Sequence, residues 1–365
     1  MPASMMTEAI QVDPRNRRVA LWLFVCCALV AAMVVLGGVT RLSGSGLSMV
    51  DWRPLLGWLP PLDHDAWQRV FDLYRQSPEF REVNAHMDVE AFKGIFWLEY
   101  FHRLLGRTIG VVFLVPFLYF HATGQIPLRD WPKYLGMFVL GGLQGALGWY
   151  MVASGLVDNP HVSQYRLVAH LITALLIYGW MFWVALSLLS PPGTAQAHPW
   201  FRRSAWLTGL IALTVLSGGF VAGLRAGLIY NTFPKMGEHW IPPGLGALTP
   251  AWLNLFANQV TAQFDHRLLA LTTFAVVVVY WFASRHTVMP RRAGVARHAL
   301  LHTAVLQVAL GISTLLLAVP VPLAAAHQAT AVLLLTVSLF LTHSLRKIPM
   351  GRTARPGDHV AHEHA

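Results

Sequence analysis

Residues 19–40 read VALWLFVCCALVAAMVVLGGVT and contain no charged side chain. A transmembrane helix needs about 20 consecutive apolar residues, so this stretch is long enough to cross a bilayer. Seven further apolar runs of spanning length follow, at about 95–120, 135–153, 164–189, 204–224, 260–284, 299–318 and 321–345. The sequence therefore predicts an all-α integral membrane protein with eight transmembrane helices.

The composition supports the same class of protein. Of the 365 residues, 55% are hydrophobic and 12% are charged, whereas a soluble domain carries roughly a quarter of charged residues. These values exclude a soluble enzyme, a disordered chain and a small secreted scaffold. The two cysteines, Cys26 and Cys27, are adjacent in the first span, where a packing role is favoured over a disulfide or a metal pair.

The Lys and Arg residues of the connections are divided unevenly between the two sides of the membrane. Fifteen lie on the side of the N-terminus and eight on the other, where six of them share the 41–94 connection with eight acidic residues. Because Lys and Arg accumulate in cytoplasmic connections, we expect both termini to be cytoplasmic. The net charge of +10 then follows from topology, and no nucleic-acid partner is expected.

Several motifs occur twice, in the same order along the chain. GGVTRLSGSGL at 37–47 corresponds to GGFVAGLRAGL at 218–228, FHRLL at 101–105 to DHRLL at 265–269, and LQGALG at 143–148 to LQVALG at 306–311. Parallel repeats in membrane proteins are related by an axis along the membrane normal. We therefore expect two tandem four-helix bundles, residues 1–195 and residues 196–365, related by a pseudo-twofold axis along that normal.

Charged residues within the predicted spans are confined to three places. All six of these charged residues lie within five residues of His102, His170 or His266. They are Glu99, Arg103, Arg107, Arg166, Asp265 and Arg267. Because charge inside a membrane is costly and usually serves function, these places are candidate sites.

Four histidines lie at similar depths in four spans that enter from the expected outer side. His102 lies about seven residues into its span, and His170, His266 and His327 about six residues into theirs. At 1.5 Å per residue the imidazoles form one layer roughly 10 Å below the outer boundary. A zinc site favours four convergent ligands, often with Cys or carboxylate. Two separate histidine pairs instead suit two bis-imidazole haems, each inside a four-helix bundle.

The motifs around these histidines resemble the signatures of the haem A synthase family. They are GGVTRLSGSGLS at 37–48, EYFHRLLGR at 99–107, Gln259 with FDHR at 264–267, and AHQ at 326–328. The resemblance covers all eight spans. It implies an oxidoreductase of the bacterial inner membrane that converts the C8 methyl of haem O, through a hydroxymethyl intermediate, to the formyl of haem A for cytochrome oxidase biogenesis.

The resemblance also implies ligands and partners. His266 and His327 would hold the iron of a resident haem b, and His102 and His170 would bind the substrate haem O. Haem O synthase, cytochrome oxidase assembly factors, an unidentified electron donor or acceptor and a second copy of the chain are the expected partners besides the lipid bilayer. Some family members carry paired cysteines in outer connections, and this chain carries none there.

Glu99 is the expected catalytic residue. It precedes His102 by three residues and so lies one turn away on the same helix face, whereas Gln263 occupies the corresponding place before His266. The presence of this carboxylate in one half alone is consistent with a single reactive site. The alternative is that Glu99 is a solvated side chain at the membrane interface. Arg103 and Arg267, and more weakly Arg166, are candidate partners of haem propionates, with snorkelling to the interface as the alternative.

Two chemical routes and two other functions remain open at this point. Hydroxylation needs either the loss of one histidine ligand, which admits dioxygen, or the removal of electrons from the methyl group followed by capture of water. A bis-histidyl b-type cytochrome that only transfers electrons shares the fold and the ligands. A transporter with a midplane site fits less well, because the histidine layer lies toward one face.

Overall fold

The computed structural model describes residues 12–51, 57–156, 162–190 and 197–346. Within these ranges the chain is helical and forms no β-strand. The helices are α1 (Pro14–Leu42), α2 (His64–Tyr74), α3 (Pro78–Glu82), α4 (Val89–Ala122), α5 (Trp131–Gly155), α6 (Gln164–Leu188), α7 (Phe201–Gly223), α8 (Asn254–Ala257), α9 (Gln259–Ser284), α10 (Arg291–Leu316) and α11 (Val321–Leu345). All except α2, α3 and α8 are long and apolar enough to cross a membrane, which confirms the prediction of eight spans.

Short polar side chains define where several of these helices begin. Asp13 accepts a hydrogen bond from the backbone N–H of Arg15 at 2.8 Å at the start of α1, and Asp88 accepts one from Ala91 at 2.8 Å at the start of α4. Such N-caps satisfy backbone donors that the first turn leaves without partners. Because of the Asp88 cap, α4 begins at Val89 and not near residue 95 as expected.

The extra turns of α4 pack against helices that the spacing of apolar runs did not predict. Phe71 and Tyr74 of α2 form a buried cluster with Phe92, Phe96 and Tyr100 of α4, here called the aromatic cluster. It lies at the start of α4, on the face that carries the 43–88 and 224–258 connections, here called the long-loop face. The segment expected to be a plain connection is therefore a small folded cap.

The eight long helices form two apolar cores. One lies among α1, α4, α5 and α6, and the other among α7, α9, α10 and α11. The cores meet where α1 packs against α11 and where α6 packs against α7. The predicted boundary between residues 195 and 196 lies outside the described residues, and the division into two related bundles stays a prediction.

The adjacent cysteines of α1 belong to the first of these cores. Both are buried, neither forms a disulfide, and the Cys27 thiol lies 3.7 Å from the Tyr178 carbonyl oxygen of α6. This confirms the packing role expected for them.

Candidate functional site

Each of the four intramembrane histidines lies against a glycine of a neighbouring helix. A Cβ on Gly37 would lie 3.0 Å from His102 Nε2, one on Gly148 3.0 Å from His170 Cε1, one on Gly218 3.1 Å from His266 Cε1 and one on Gly311 2.8 Å from His327 Cε1. A Cβ at Gly311 would have to displace the ring, and one at each of the other three glycines would move the ring by a few tenths of an ångström, so glycine lets all four rings lie where they do.

These glycines belong to the motifs that occur twice in the sequence. Gly37 and Gly218 open the two GG motifs, and Gly148 and Gly311 close the two LQ(G/V)ALG motifs. The same kind of contact, an imidazole on a glycine, is thus made four times by repeated motifs. The sequence placed the histidines in one layer, and the structure adds the surfaces on which their rings lie.

The structure brings the histidines together in two pairs. His102 of α4 is near enough to His170 of α6 for the imidazoles to interact electrostatically, and His266 of α9 is similarly near to His327 of α11. Among the described residues, no group of three or more His, Cys, Asp or Glu side chains is arranged to hold a metal ion. The candidate ligands of each pair are two imidazoles.

Ser217 fixes the protonation of the His266 ring. The Ser217 hydroxyl lies 2.8 Å from His266 Nδ1 and 2.7 Å from the Thr214 carbonyl oxygen. A hydroxyl has a single proton, and the carbonyl can only accept. The serine therefore donates to Thr214 and accepts a hydrogen bond from Nδ1–H, which leaves the lone pair of His266 Nε2 free.

Two glutamines lie beside the other members of the pairs. Gln144 Nε2 of α5 donates to the backbone carbonyl of His170 at 2.9 Å. In the second core, Gln307 Nε2 of α10 lies 3.4 Å from His327 Nε2. Both glutamines belong to a repeated sequence motif, and that position was the available signal of a role. No function was predicted for them from the sequence.

Glu99 is buried, with 2% of its surface exposed, which excludes a solvated side chain at the interface. Its Oε2 accepts hydrogen bonds from the Ser48 hydroxyl at 2.7 Å and from the Met49 backbone N–H at 2.8 Å. Its Oε1 accepts one from Arg103 at 2.5 Å. The carboxylate is therefore fixed one turn from His102 by the segment that follows α1, an arrangement that the sequence did not reveal.

Arg103 also binds the backbone of this segment. Its guanidinium donates to the carbonyl oxygens of Met49 at 2.6 Å and Asp51 at 3.1 Å. A cavity of about 310 Å³ opens beside it at the end of α5; its lining residues are Val50, Arg103, Trp149, Val152, Ala153 and Leu156. Arg103 thus both holds Glu99 and borders a cavity at the long-loop face.

The corresponding place in the second core has the same architecture with different charge. Gln263 is also 2% exposed, and its Nε2 donates to the Tyr230 carbonyl oxygen at 3.0 Å. Arg267 donates to the carbonyl oxygens of Tyr230 and Thr232, each at 2.8 Å. Arg103 and Arg267 therefore each fasten the segment after the preceding span, and the carboxylate is present on one side only.

Arg166, the weaker candidate, lies at the start of α6. It donates to the Tyr150 carbonyl oxygen at 2.9 Å, and its guanidinium lies 3.7 Å from the centre of the Tyr150 ring. The described contacts join it to α5 rather than to either histidine pair.

The fold and this arrangement define a class, the multi-pass membrane proteins with paired histidines inside their helix bundles. The chain belongs to the cytochrome oxidase assembly protein family COX15-CtaA, whose sequence profile matches residues 20–339. It is 55% identical over 336 residues to heme A synthase of Nitrosospira multiformis, covering 91% of this chain and 94% of that protein. It is 47% identical over 353 residues to human heme A synthase COX15, covering 94% and 86%. The resemblance indicated by the sequence motifs is confirmed.

Proposed function

We propose that the chain is a haem A synthase, which oxidises the C8 methyl of haem O to the formyl group of haem A for cytochrome oxidase assembly. The observation that carries the proposal is the two pairs of histidines, each ring on a glycine, inside a chain whose relatives carry that name. These names favour the synthase over a cytochrome that only transfers electrons.

The residues present fit haem groups. Both donors of each pair are imidazoles, the usual ligands of b-type haem, and no thiolate or carboxylate completes a tetrahedral zinc site among the described residues. Ser217 presents His266 with its Nε2 lone pair free. We assign His266 and His327 to a resident haem b, which supplies one-electron chemistry when bound.

The N-terminal pair is assigned to the substrate, because Glu99 is present on that side only. His102 and His170 bind and orient haem O. Arg103 borders the cavity at the end of α5, where its guanidinium can donate a charge-assisted hydrogen bond to a haem propionate. Glu99 accepts a proton or stabilises positive charge that develops at the reacting methyl. Arg267 is assigned to the propionates of haem b by its corresponding position.

Expression with a source of haem O, followed by extraction and chromatography of the bound haems, tests this function. The wild type should carry haem b with traces of haem O, its hydroxymethyl form or haem A. Haem b alone, although haem O is present in the cells, would identify an electron carrier. The assay separates the two functions without knowledge of the electron partner.

Single histidine substitutions test the assignment of the two pairs. His266→Ala and His327→Ala should deplete haem b, whereas His102→Ala and His170→Ala should retain much of it and form no haem A. His121→Ala is the matched control, since His121 lies near the opposite end of α4, beside Trp131. If His102→Ala empties the protein of haem b and His266→Ala does not, the assignment is reversed.

A further inference from the structure

Four buried polar atoms beside the histidine layer have no hydrogen-bond partner among the described residues, and they form the same combination twice. Between α5 and α6 they are Gln144 Oε1 and His170 Nδ1; between α10 and α11 they are Gln307 Oε1 and His327 Nδ1. An amide oxygen can only accept, and a ring nitrogen that carries its proton can donate. The backbone carbonyl of the same glutamine also lies near each ring, and the amide oxygen is the acceptor beside the ring that is still unpaired.

The glutamines are placed to reach these rings. Each precedes by four residues the glycine on which the ring lies, Gly148 or Gly311, so that amide and glycine share one face of their helix. The present contacts, 2.9 Å from Gln144 Nε2 to the His170 carbonyl and 3.4 Å from Gln307 Nε2 to His327 Nε2, hold each amide beside its histidine.

Energetics favours the pairing. A buried polar atom without a partner costs about 1–3 kcal/mol, and in each half the amide oxygen of the glutamine is such an atom. Histidines that bind metals almost always donate the proton of the other ring nitrogen to an oxygen, which fixes the ring orientation and makes the ligand more basic. Ser217 already accepts that proton from His266.

We propose that Gln144 and Gln307 are positioning residues, whose amide oxygens accept the Nδ1 proton of His170 and His327 and so leave Nε2 of each ring for haem iron. The inference rests on the proposed function, because it presupposes haem at both histidine pairs. It adds a role that the ligand assignment does not contain: the α5 and α10 helices, which carry no histidine ligand, set the protonation and orientation of the rings on α6 and α11.

Gln307→Met and Gln307→Glu test the role on the resident haem. Methionine keeps the length of the side chain and removes the acceptor oxygen, whereas glutamate keeps an acceptor oxygen whether or not it is ionised. We expect Gln307→Met to weaken haem b binding by about 10- to 100-fold, to shift the low-spin EPR g values and to raise the midpoint potential. Gln307→Glu should retain haem b and show no rise in potential.

Gln328→Met is the matched control. Gln328 is a part-buried glutamine on α11 next to His327, but its amide donates to the Val34 carbonyl oxygen at 2.8 Å and contacts no imidazole. It should keep the EPR g values and the potential of the wild type. If Gln307→Met fails to fold, Gln144→Met provides the test, because this substitution leaves the second core unchanged. The Gln144→Met variant should keep haem b and should bind haem O about 10- to 100-fold more weakly in a spectral titration.

The failures of the two proposals are distinguishable. A wild type without haem b refutes the proposed function itself. If the wild type holds haem b and His327→Ala loses it, but Gln307→Met and Gln144→Met both bind haem as the wild type does, with unchanged g values and potential, then only the role of the glutamines is wrong. A change in Gln328→Met equal to that in Gln307→Met also overturns it, because loss of any neighbouring amide would then suffice.

Discussion

At the scale of single residues, the contact between Gly311 and His327 is the tightest of the four imidazole contacts. A Cβ on Gly311 would lie 2.8 Å from His327 Cε1, so Gly311→Ala must displace the ring, at a cost of about 1–3 kcal/mol for overpacking. We expect haem b affinity to fall about tenfold or more, since 1.4 kcal/mol corresponds to a factor of ten. The ratio of haem to protein after purification measures this.

Gly209→Ala is the control for that substitution. Gly209 lies within α7 of the same core, and a Cβ there would meet nothing within 4 Å. Its haem content should equal that of the wild type. Equal haem loss in both variants would show that helix glycines in general, and not the imidazole contact, determine haem retention.

The carboxylate of Glu99 gives the second prediction at this scale. Glu99→Gln keeps the size of the side chain and an acceptor for Ser48 and Met49, and Arg103 keeps its two carbonyl partners. Folding and haem b content should therefore survive. The variant removes the negative charge that we propose acts on the reacting methyl, and a loss of about 3 kcal/mol of transition-state stabilisation would slow the step about 150-fold.

Turnover of haem O in the presence of a saturating electron partner checks this prediction, with Gln263→Glu as its counterpart in the second core. Gln263→Glu should leave the rate of haem A formation mostly unchanged. Unreacted haem O or its hydroxymethyl form should accumulate on Glu99→Gln. Haem A formed by Glu99→Gln at the wild-type rate would reduce the carboxylate to a structural partner of Arg103.

At the scale of elements, the cap formed by α2 and α3 contains a buried acid. Burial in the folded cap raises the pKa of Glu79 from 4.5 to about 7; the hydrogen bond from Tyr74 opposes this rise, the charge of Glu99 adds to it and that of Arg225 opposes it. Between pH 4.5 and pH 7 the native state therefore keeps the Glu79 carboxyl protonated, whereas the unfolded chain has released this proton. Stability of the cap should fall as the pH rises from 4.5 to 7 and then stay constant.

Glu79→Gln tests this pH dependence. The amide can still accept the Tyr74 hydroxyl proton, which Glu79 accepts at 3.1 Å, and it has no charge to bury. The variant should be more stable than the wild type by about 3 kcal/mol at pH 8 and equal to it near pH 4. Hydrogen exchange of the 64–88 amides, corrected for intrinsic rates, measures the difference. The exposed Glu82→Gln serves as control, and equal protection of Glu79→Gln and wild type at pH 8 would contradict the prediction.

The elements also show how far the sequence could lead. Long apolar runs gave the spans, and the observed α11, Val321–Leu345, has the expected bounds. The α2 helix was missed because it is short and amphipathic, although Trp67, Phe71 and Tyr74 recur at helical spacing. Spanning length, which identifies the eight long helices, is not a property of α2.

The four histidines of the candidate site were predictable as a set, their role as ligands stays a prediction, and their surroundings were not predictable. Four histidines at matched depths and repeated motifs are visible in one dimension. Two contacts depend on how the helices rotate and pack, which the spacing of motifs does not specify. They are the contact of Ser48 with Glu99 and that of Ser217 with His266. Ser217 did offer one signal, since it precedes the repeated GG motif where the first copy has Leu36.

At the scale of the whole molecule, two contacts between the cores join corresponding positions of the repeated motifs. Gly38 of α1 lies against Gln328 of α11, and Gly219 of α7 lies against Leu171 of α6. These are corresponding residues, because each glycine is the second of a GG motif and each partner follows a histidine of the layer. The helices that join the two cores therefore occupy equivalent places in the repeat, and the pseudo-twofold relation of the complete bundles stays a prediction.

The orientation of the long-loop face in the membrane is the last prediction. Arg129 and Lys133 flank the α4–α5 connection, and Arg285, Arg291 and Arg292 flank the α9–α10 connection, so these ends should face the cytoplasm. Alkaline phosphatase fused after residue 75 or 245 should be active in bacterial cells, and fusions after residue 125 or 288 should be inactive. A fluorescent protein that folds only in the cytoplasm should give the opposite pattern and controls for expression. Phosphatase activity after residue 125 but not after residue 75 would show that the orientation of the protein is the reverse of the one expected. The histidine layer would then lie near the cytoplasmic side.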